Sequence, residues 1–217
     1  MNQHPQTSTR WVFLDRDGIL NVDKYGAFRT QQFALIDGVV SALTILRLLG
    51  FRLIVVTNQS AIGRGEATEA QVNQFNQLLL DTLAKEGIEI EAVFVCPHDP
   101  EFGQGIYKKD CSCRKPKPGM FFEAAEKHQL ELSKCYSIGD KKSDVVAGFN
   151  AGCKTILVET GILDDELKYP GVSPNYRVRS LVDAAKVIAG ELAIEQMSAL
   201  GQFVAPFHAE VCEKLHR

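Results

Sequence analysis

Short apolar runs punctuate the chain, and each ends abruptly in polar residues. They are 11–14 (WVFL) before Asp15, 52–56 (RLIVV) before Thr57-Asn58, 90–95 (IEAVFV) before Cys96, 135–138 (CYSI) before Gly139-Asp140, and 154–158 (KTILV) before Glu159-Thr160. Runs this short, rich in Val, Ile and aromatics, read as strands buried on both faces. Between them the apolar residues take helical spacing. Residues 38–49 carry Val39, Val40, Leu43, Ile45, Leu46 and Leu49, and Gly50 stops them. Residues 69–86 open with Thr68 and Gln71 at capping-box spacing and close at Gly87. Pro118 fits the first turn of a helix over Met120–His128, and 142–151 end at Gly152. Strand and helix thus alternate at βαβ spacing, which predicts an α/β fold: a parallel sheet with helices on both faces. In such sheets ligands sit at the carboxyl ends of the strands. Asp15, Thr57-Asn58 and Asp140 therefore converge on one rim, although they lie far apart in sequence.

Two segments break the alternation. Residues 97–118 concentrate Pro, Gly, Lys and Cys. Residues 191–217 read as a helical extension, with Leu192, Ile194, Met197, Leu200, Phe203, Phe207, Val211 and Leu215 at loosely helical spacing. The expected organisation is a polar tail over 1–10, one domain over 11–190 and this extension, packed on the body or on a second subunit. A monomer is expected, with a dimer through the extension as the alternative. His208, Cys212 and His216 share one helical face at i, i+4 and i+8; chance spacing on a long helix competes with a metal site there.

Composition narrows the class. The chain has 217 residues, 24 Lys/Arg against 27 Asp/Glu, and 45% hydrophobic residues, as in an ordinary globular domain. A net charge of −3 gives no electrostatic reason to bind nucleic acid. No apolar run approaches the ~18 residues that span a bilayer, and the polar start MNQHPQTSTR lacks a signal-peptide core. A cytoplasmic protein with no membrane partner is expected.

Of the six cysteines, three crowd between 96 and 113. Cys96-Pro97-His98, twelve residues, then Cys111-Ser112-Cys113 supply three thiolates and an imidazole, the ligand set of a closed, structural zinc site. The competing reading, core cysteines beside a surface histidine, fits poorly with the polar residues between them. Cys135 and Cys153 read as buried thiols at strand starts.

The rim carries the candidate chemistry. Asp15-Arg16-Asp17-Gly18 past a strand end is either a turn with Asx hydrogen bonds or a pair of carboxylates for a hard cation and a phosphoryl group. Thr57-Asn58-Gln59-Ser60 adds donors, Lys115 a fixed positive charge, and Asp140 with Asp144 two more acids at i and i+4. A carboxylate nucleophile, a hydroxyl, a lysine and a distal carboxylate make a phosphoryl-transfer set. No G-x-x-x-x-G-K-[ST] is present, which argues against an ATP-driven kinase. A non-catalytic zinc module is the reading from a different class, and the acidic balance opposes it.

At these four stretches, in order, the chain resembles the haloacid-dehalogenase-like phosphatases. The resemblance implies a Rossmann-like doubly wound sheet with a zinc-braced loop insertion. It also implies Asp15 as nucleophile, Asp17 as general acid and then base, and Thr57 and Lys115 on the phosphoryl oxygens. Mg²⁺ would be held by Asp15, Asp140 and the Asp17 carbonyl, with Asp144 orienting Lys141 or the metal's waters. The zinc residues followed by Arg114-Lys115-Pro116, with T-N-Q-S-A-I-G-R-G from Thr57, are similar to the heptose-bisphosphate phosphatases; the histidinol-phosphate phosphatases are close relatives. Over about residues 11–190 this implies a small-molecule sugar bisphosphate as substrate, with histidinol phosphate or another small phosphomonoester as the alternative. Substrate contacts carry over onto Asp23, Lys24, Tyr25, Gly26, Asn58, Gln59, Ser60, Arg114 and Lys141. Arg16, Arg64, Lys117 and Lys142 are expected on the surface, where they would add steering charge. The chain departs from the family pattern at Ile19, where threonine is usual, at Ala61 for glycine, and in the order Tyr25-Gly26.

Overall fold

The computed structural model describes residues 10–23, 28–159 and 169–215, the last stretch from 199 onward as helical backbone only. Six parallel strands form one sheet: β1 (Arg10–Leu14), β2 (Phe51–Asn58), β3 (Ala92–Cys96), β4 (Tyr136–Gly139), β5 (Lys154–Val158) and β6 (Tyr176–Val178), in the spatial order β3-β2-β1-β4-β5-β6. The helices are α1 (Val39–Leu48), α2 (Ser60–Gly63), α3 (Glu69–Lys85), α4 (Gly119–His128), α5 (Lys142–Ala151) and α6 (Leu181–Leu215). All five expected strands are present, within a few residues of their expected ends. β6, only three residues long, carries too little pattern to be read from sequence, as does the single turn of α2.

Strand side chains alternate between two cores, as the pleat requires. Val12 and Leu14 pack with Leu43 and Leu46 of α1, Leu79 of α3 and Ile188 of α6. Trp11 and Phe13 face the other way, against Phe121 and Ala124 of α4 and Ala147 of α5. The sheet is therefore doubly wound, as expected. Helix ends follow their local chemistry. Thr68 and Gln71 form the reciprocal capping box at the start of α3. Gly152 ends α5 in the left-handed conformation. Pro118 stands one position earlier than expected, as the N-cap of α4.

The chain leaves β1 toward β2 and β3 on one side, then crosses back to β4, β5 and β6 on the other. The strand order thus reverses beside β1, and a crevice opens between the carboxyl ends of β1 and β4. Asp15 and Asp140 stand at its two lips. The position expected for the domain boundary, 190/191, falls inside α6. That helix is clamped to the sheet where Glu191 accepts hydrogen bonds from the Tyr136 and Tyr176 hydroxyls and from Lys154 Nζ. The side chains of His208, Cys212 and His216 lie outside the described residues.

Phe13 is fully buried in the central strand, with its ring centroid 4.7 Å from that of Phe121. Phe13→Ala is expected to cost about 3–5 kcal/mol, read as a lower midpoint in urea unfolding at unchanged slope.

Candidate active site and metal centre

Asp15 is the first residue past β1, and its N–H donates to the Ile138 carbonyl of β4 at 2.9 Å. That bond fixes the turn at the crevice. Lys115 enters from the loop that follows β3 and is almost wholly buried. Its Nζ lies 2.9 Å from Asp15 Oδ1 and 2.6 Å from Asp144 Oδ1, and donates to the Val56 carbonyl at 2.9 Å. Asn58 holds the backbone of Lys115 from both sides: Oδ1 accepts its N–H at 3.1 Å, and Nδ2 donates to its carbonyl at 3.0 Å. Asp144 lies in the first turn of α5, where its Oδ2 accepts the Lys141 N–H at 3.0 Å. Its carboxylate therefore pairs with Lys115 and caps α5 through the backbone N–H of Lys141. Carboxylate oxygens of Asp15, Asp140 and Asp144 all lie within 4.8 Å of one another. Asp15 and Asp144 line a cleft of about 180 Å³ together with Thr57, Ser60 and Lys141.

Three buried carboxylates beside two lysines set the electrostatics. Burial works against the charge of Asp15, but Lys115 and Lys141 outweigh it and hold the carboxyl below its usual range. Burial likewise opposes the charge on Lys115, yet Asp144 and Asp15 raise its pKa above the ordinary value. Burial pushes Asp144 up, against the pull of Lys115. Asp140 is pushed up to about 7, first by burial and then by the charge of Asp15. Its Oδ1 is buried with no hydrogen-bond partner. A buried carboxylate oxygen without a partner is costly, and a hard cation with oxygen ligands is the natural way to satisfy it. Asp144 Oδ1 also lacks a regular hydrogen bond, but it is ion-paired with Lys115 at 2.6 Å and its Oδ2 caps α5, so Asp140 and Asp15 are the side chains better placed to hold such an ion.

Asp17 is held by four donors. Its Oδ1 accepts from Arg16 Nε at 3.1 Å and Asn21 Nδ2 at 2.8 Å; its Oδ2 accepts from Arg16 Nη2 at 2.9 Å and Gln59 Nε2 at 2.7 Å. Gln59 Nε2 also donates to Thr57 Oγ1 at 2.9 Å, which ties two expected catalytic residues together. The expectation for Arg16 needs correcting. Its side chain is the largest fully buried one among the described residues, and it contributes nothing to surface steering. Of the other expected steering charges, Arg64 pairs with Glu66 and Asp99, and Lys117 pairs with Asp110.

The expected substrate-binding set divides. Asn58 and Gln59 face Lys115, Asp17 and Thr57. Arg114 Nη1 donates to Ser60 Oγ and to the His98 carbonyl, and so joins the rim to the cysteine loop. Lys141 Nζ lies 3.4 Å from Asp23 Oδ2 at the mouth of the cleft. Lys24, Tyr25 and Gly26 lie outside the described residues.

Cys96, His98, Cys111 and Cys113 meet in one cluster. Cys113 Sγ lies 3.1 Å from Cys111 Sγ, 3.3 Å from Cys96 Sγ and 3.4 Å from His98 Nδ1. Cys96 Sγ lies 3.5 Å from Cys111 Sγ and 3.6 Å from His98 Nδ1. Ligands around a tetrahedral zinc would stand roughly 3.5–3.8 Å apart, so the cluster is compatible with zinc after small outward shifts. The Cys113 thiol is lowered to about 5, first by its hydrogen bond with Cys96, so a thiolate is within reach at neutral pH. Four protein ligands leave no open coordination position.

A family profile described as HAD-hydrolase-like matches residues 112–184. The chain is 41% identical over 182 residues to the D-glycero-β-D-manno-heptose-1,7-bisphosphate 7-phosphatase of Pasteurella multocida, which covers 82% of this chain and 96% of that protein. The enzyme of the same name from Vibrio cholerae is 42% identical over 151 residues, covering 69% and 81%. The chain also superposes on the crystal structure of D,D-heptose 1,7-bisphosphate phosphatase from B. bronchiseptica, complexed with magnesium and phosphate. That match has a TM-score of 0.73 and 30% identity, over 84% of this chain and 99% of the other. The chain belongs to the heptose-bisphosphate phosphatase family. As a heptose-bisphosphate phosphatase homologue it is a HAD-like enzyme, a phosphoric monoester hydrolase.

Within this heptose-bisphosphate phosphatase fold, the departure at Ile19 has a packing explanation. Its side chain is buried in the core beside Leu20 and Val12, where an apolar residue is favoured. Two glycines do work that the motif alone leaves unexplained. Gly18 has φ +86°, and a Cβ there would stand 2.1 Å from Asp140 Oδ2; a Cβ on Gly139 would stand 2.2 Å from Asp144 Cβ. Both carboxylates approach the backbone at places where any side chain would exclude them. Gly18→Ala is expected to displace Asp140, costing about 1–3 kcal/mol of stability by thermal unfolding. It should also weaken divalent-cation binding at least about tenfold in calorimetric titration, by loss of the carboxylate's geometry.

Proposed function

We propose that this protein is a Mg²⁺-dependent phosphatase that removes the 7-phosphate of D-glycero-β-D-manno-heptose 1,7-bisphosphate. The observation that carries the reading is the full-length likeness to the P. multocida enzyme, 41% identical over 96% of its length. The geometry of the rim supports it. Asp15 and Asp140 would hold Mg²⁺ together with the Asp17 carbonyl, and the partnerless Asp140 Oδ1 fits that role. When bound, the ion would offset negative charge on the transferring phosphoryl group.

The chain's own residues supply the remaining chemistry. The Asp15 carboxylate, kept charged by Lys115, attacks phosphorus; the bond to the sugar oxygen breaks and an aspartyl-phosphate forms. Asp17 donates its proton to the departing sugar oxygen, then takes one from the water that hydrolyses the aspartyl-phosphate. Thr57 and Lys115 face the phosphoryl oxygens, Thr57 by its hydroxyl and Lys115 chiefly by its charge. Ser60, Lys141 and Asp23 line the cleft and, with Arg114, would meet the sugar; Lys24, Tyr25 and Gly26 would add to these contacts, and Asn58 and Gln59 would act behind them by holding Lys115 and Asp17. Cys96, His98, Cys111 and Cys113 would hold a structural zinc, which would brace the loop that presents Arg114 and Lys115. Residues 191–217 serve as a helical extension of one catalytic domain, and the enzyme works on a soluble metabolite in the cytoplasm as a monomer. In keeping with this, no helix among the described residues is long and apolar enough to cross a membrane.

Phosphate release should favour the β-anomer of heptose 1,7-bisphosphate over the α-anomer, histidinol phosphate and fructose 1,6-bisphosphate. A margin of about a hundredfold in kcat/KM over the last two corresponds to about 2.7 kcal/mol. Asp15→Asn should abolish turnover on every ester; a histidinol-led profile would overturn the substrate assignment. Because Asp140 carries its proton below about 7 in the metal-free site, Mg²⁺ and H⁺ compete for it. The Mg²⁺ concentration for half-maximal activity should therefore rise as pH falls below 7, by up to about tenfold per unit, and level off above pH 8. A flat Mg²⁺ requirement between pH 6 and 8 would remove Asp140 from the metal site.

A further inference from the structure

The inward face of α3 carries Val72, Phe75, Leu79 and Leu83, all fully buried, and among them stands one buried polar residue, Asn76. An amide on an apolar helix face is costly unless its polar atoms are bonded. Asn76 Oδ1 accepts a hydrogen bond from Arg16 Nη1 at 2.7 Å, and the neighbouring Phe75 ring lies 4.7 Å from the guanidinium carbon. One helix thus provides both a clasp and a floor for Arg16. Arg16 itself is completely buried, so it meets neither solvent nor a substrate in the cleft. Toward the chemistry, its Nε and Nη2 donate to the two oxygens of Asp17.

We propose that Asn76 is a positioning residue for proton transfer by Asp17, acting through Arg16. The proposal rests on the general-acid role given to Asp17 above. A forked guanidinium fixes a carboxylate in plane and direction only if the fork itself is fixed. Gln59 and Asn21 each hold one oxygen of Asp17, but the two-point contact comes from Arg16 alone. Asn76 sets the rotation of that fork from a helix that does not line the cleft. Small misplacement of a reacting group has large kinetic consequences, so loss of the clasp reaches the proton without touching the substrate.

The leaving group separates this role from a purely structural one. A sugar alkoxide needs the proton in the transition state, whereas p-nitrophenolate leaves without it. Asn76→Leu removes the acceptor at similar volume. It should lower kcat/KM on β-heptose 1,7-bisphosphate by roughly ten- to a hundredfold through kcat, with KM within about twofold, and on p-nitrophenyl phosphate by less than about threefold. Asn76→Asp keeps an acceptor for Arg16 and should return the sugar-phosphate rate to within about threefold of the parent. Equal losses on both esters, or an Asn76→Asp enzyme as slow as Asn76→Leu, would overturn the proposal. Asp17→Asn run in parallel tests the underlying reading: if it lost both esters equally, Asp17 would not be the acid. If it showed the leaving-group effect and Asn76→Leu did not, only the role of Asn76 would fall.

Discussion

Lys115 carries its charge almost entirely out of water, and the arrangement of the rim follows from what that requires. An isolated buried ammonium would lose its proton or destabilise the fold. Here two carboxylates meet it, Asp15 just past β1 at 2.9 Å and Asp144 in the first turn of α5 at 2.6 Å, and it also donates to the Val56 carbonyl. The pairing serves both sides. Lys115 keeps Asp15 in the charged form that a nucleophile needs, and Asp15 with Asp144 keeps Lys115 charged. Asp140 is the acid that makes no ion pair with Lys115, and its proton affinity rises while its Oδ1 is left without a hydrogen bond. Within a few ångströms, the sharing of two lysines among three acids thus gives neighbouring carboxylates opposite proton affinities.

Such a lysine has to be delivered from a loop, and loops place side chains poorly on their own. Two devices compensate. Asn58, at the end of β2, grips the Lys115 backbone with both atoms of its amide. The cysteine cluster gathers β3's last residue, Cys96, with Cys111 and Cys113 just before Arg114. Arg114 then links that loop back to α2 through Ser60 and to the loop's own His98 carbonyl. The loop is irregular in conformation but tied at both ends of its functional stretch. This explains how residues far apart in sequence meet at one cleft.

Much of this was legible in the chain. Strand positions followed from apolar runs, because strands buried on both faces have no polar alternation to hide them. Cys96, His98, Cys111 and Cys113 were legible as one cluster because metal ligands impose spacing and chemistry together. Arg16 was not legible. Its neighbours in sequence are two aspartates and a glycine, which suggest an exposed turn, and its partners Asn76 and Phe75 lie some sixty positions away on α3. Nor could Gln59 be separated from a substrate contact. Its bonds to Asp17 and Thr57 exist only because β1 and β2 run side by side.

The sequence by itself determined the alternation of strands and helices, the four stretches at the rim and the metal-type loop, because each depends on residue chemistry at short spacing. The tertiary structure alone decided which acid faces Lys115, which is left for a cation, and which polar residues face inward to hold others in place. Those assignments depend on distances of about 3 Å between atoms on different strands and helices, and local pattern carries no information about them.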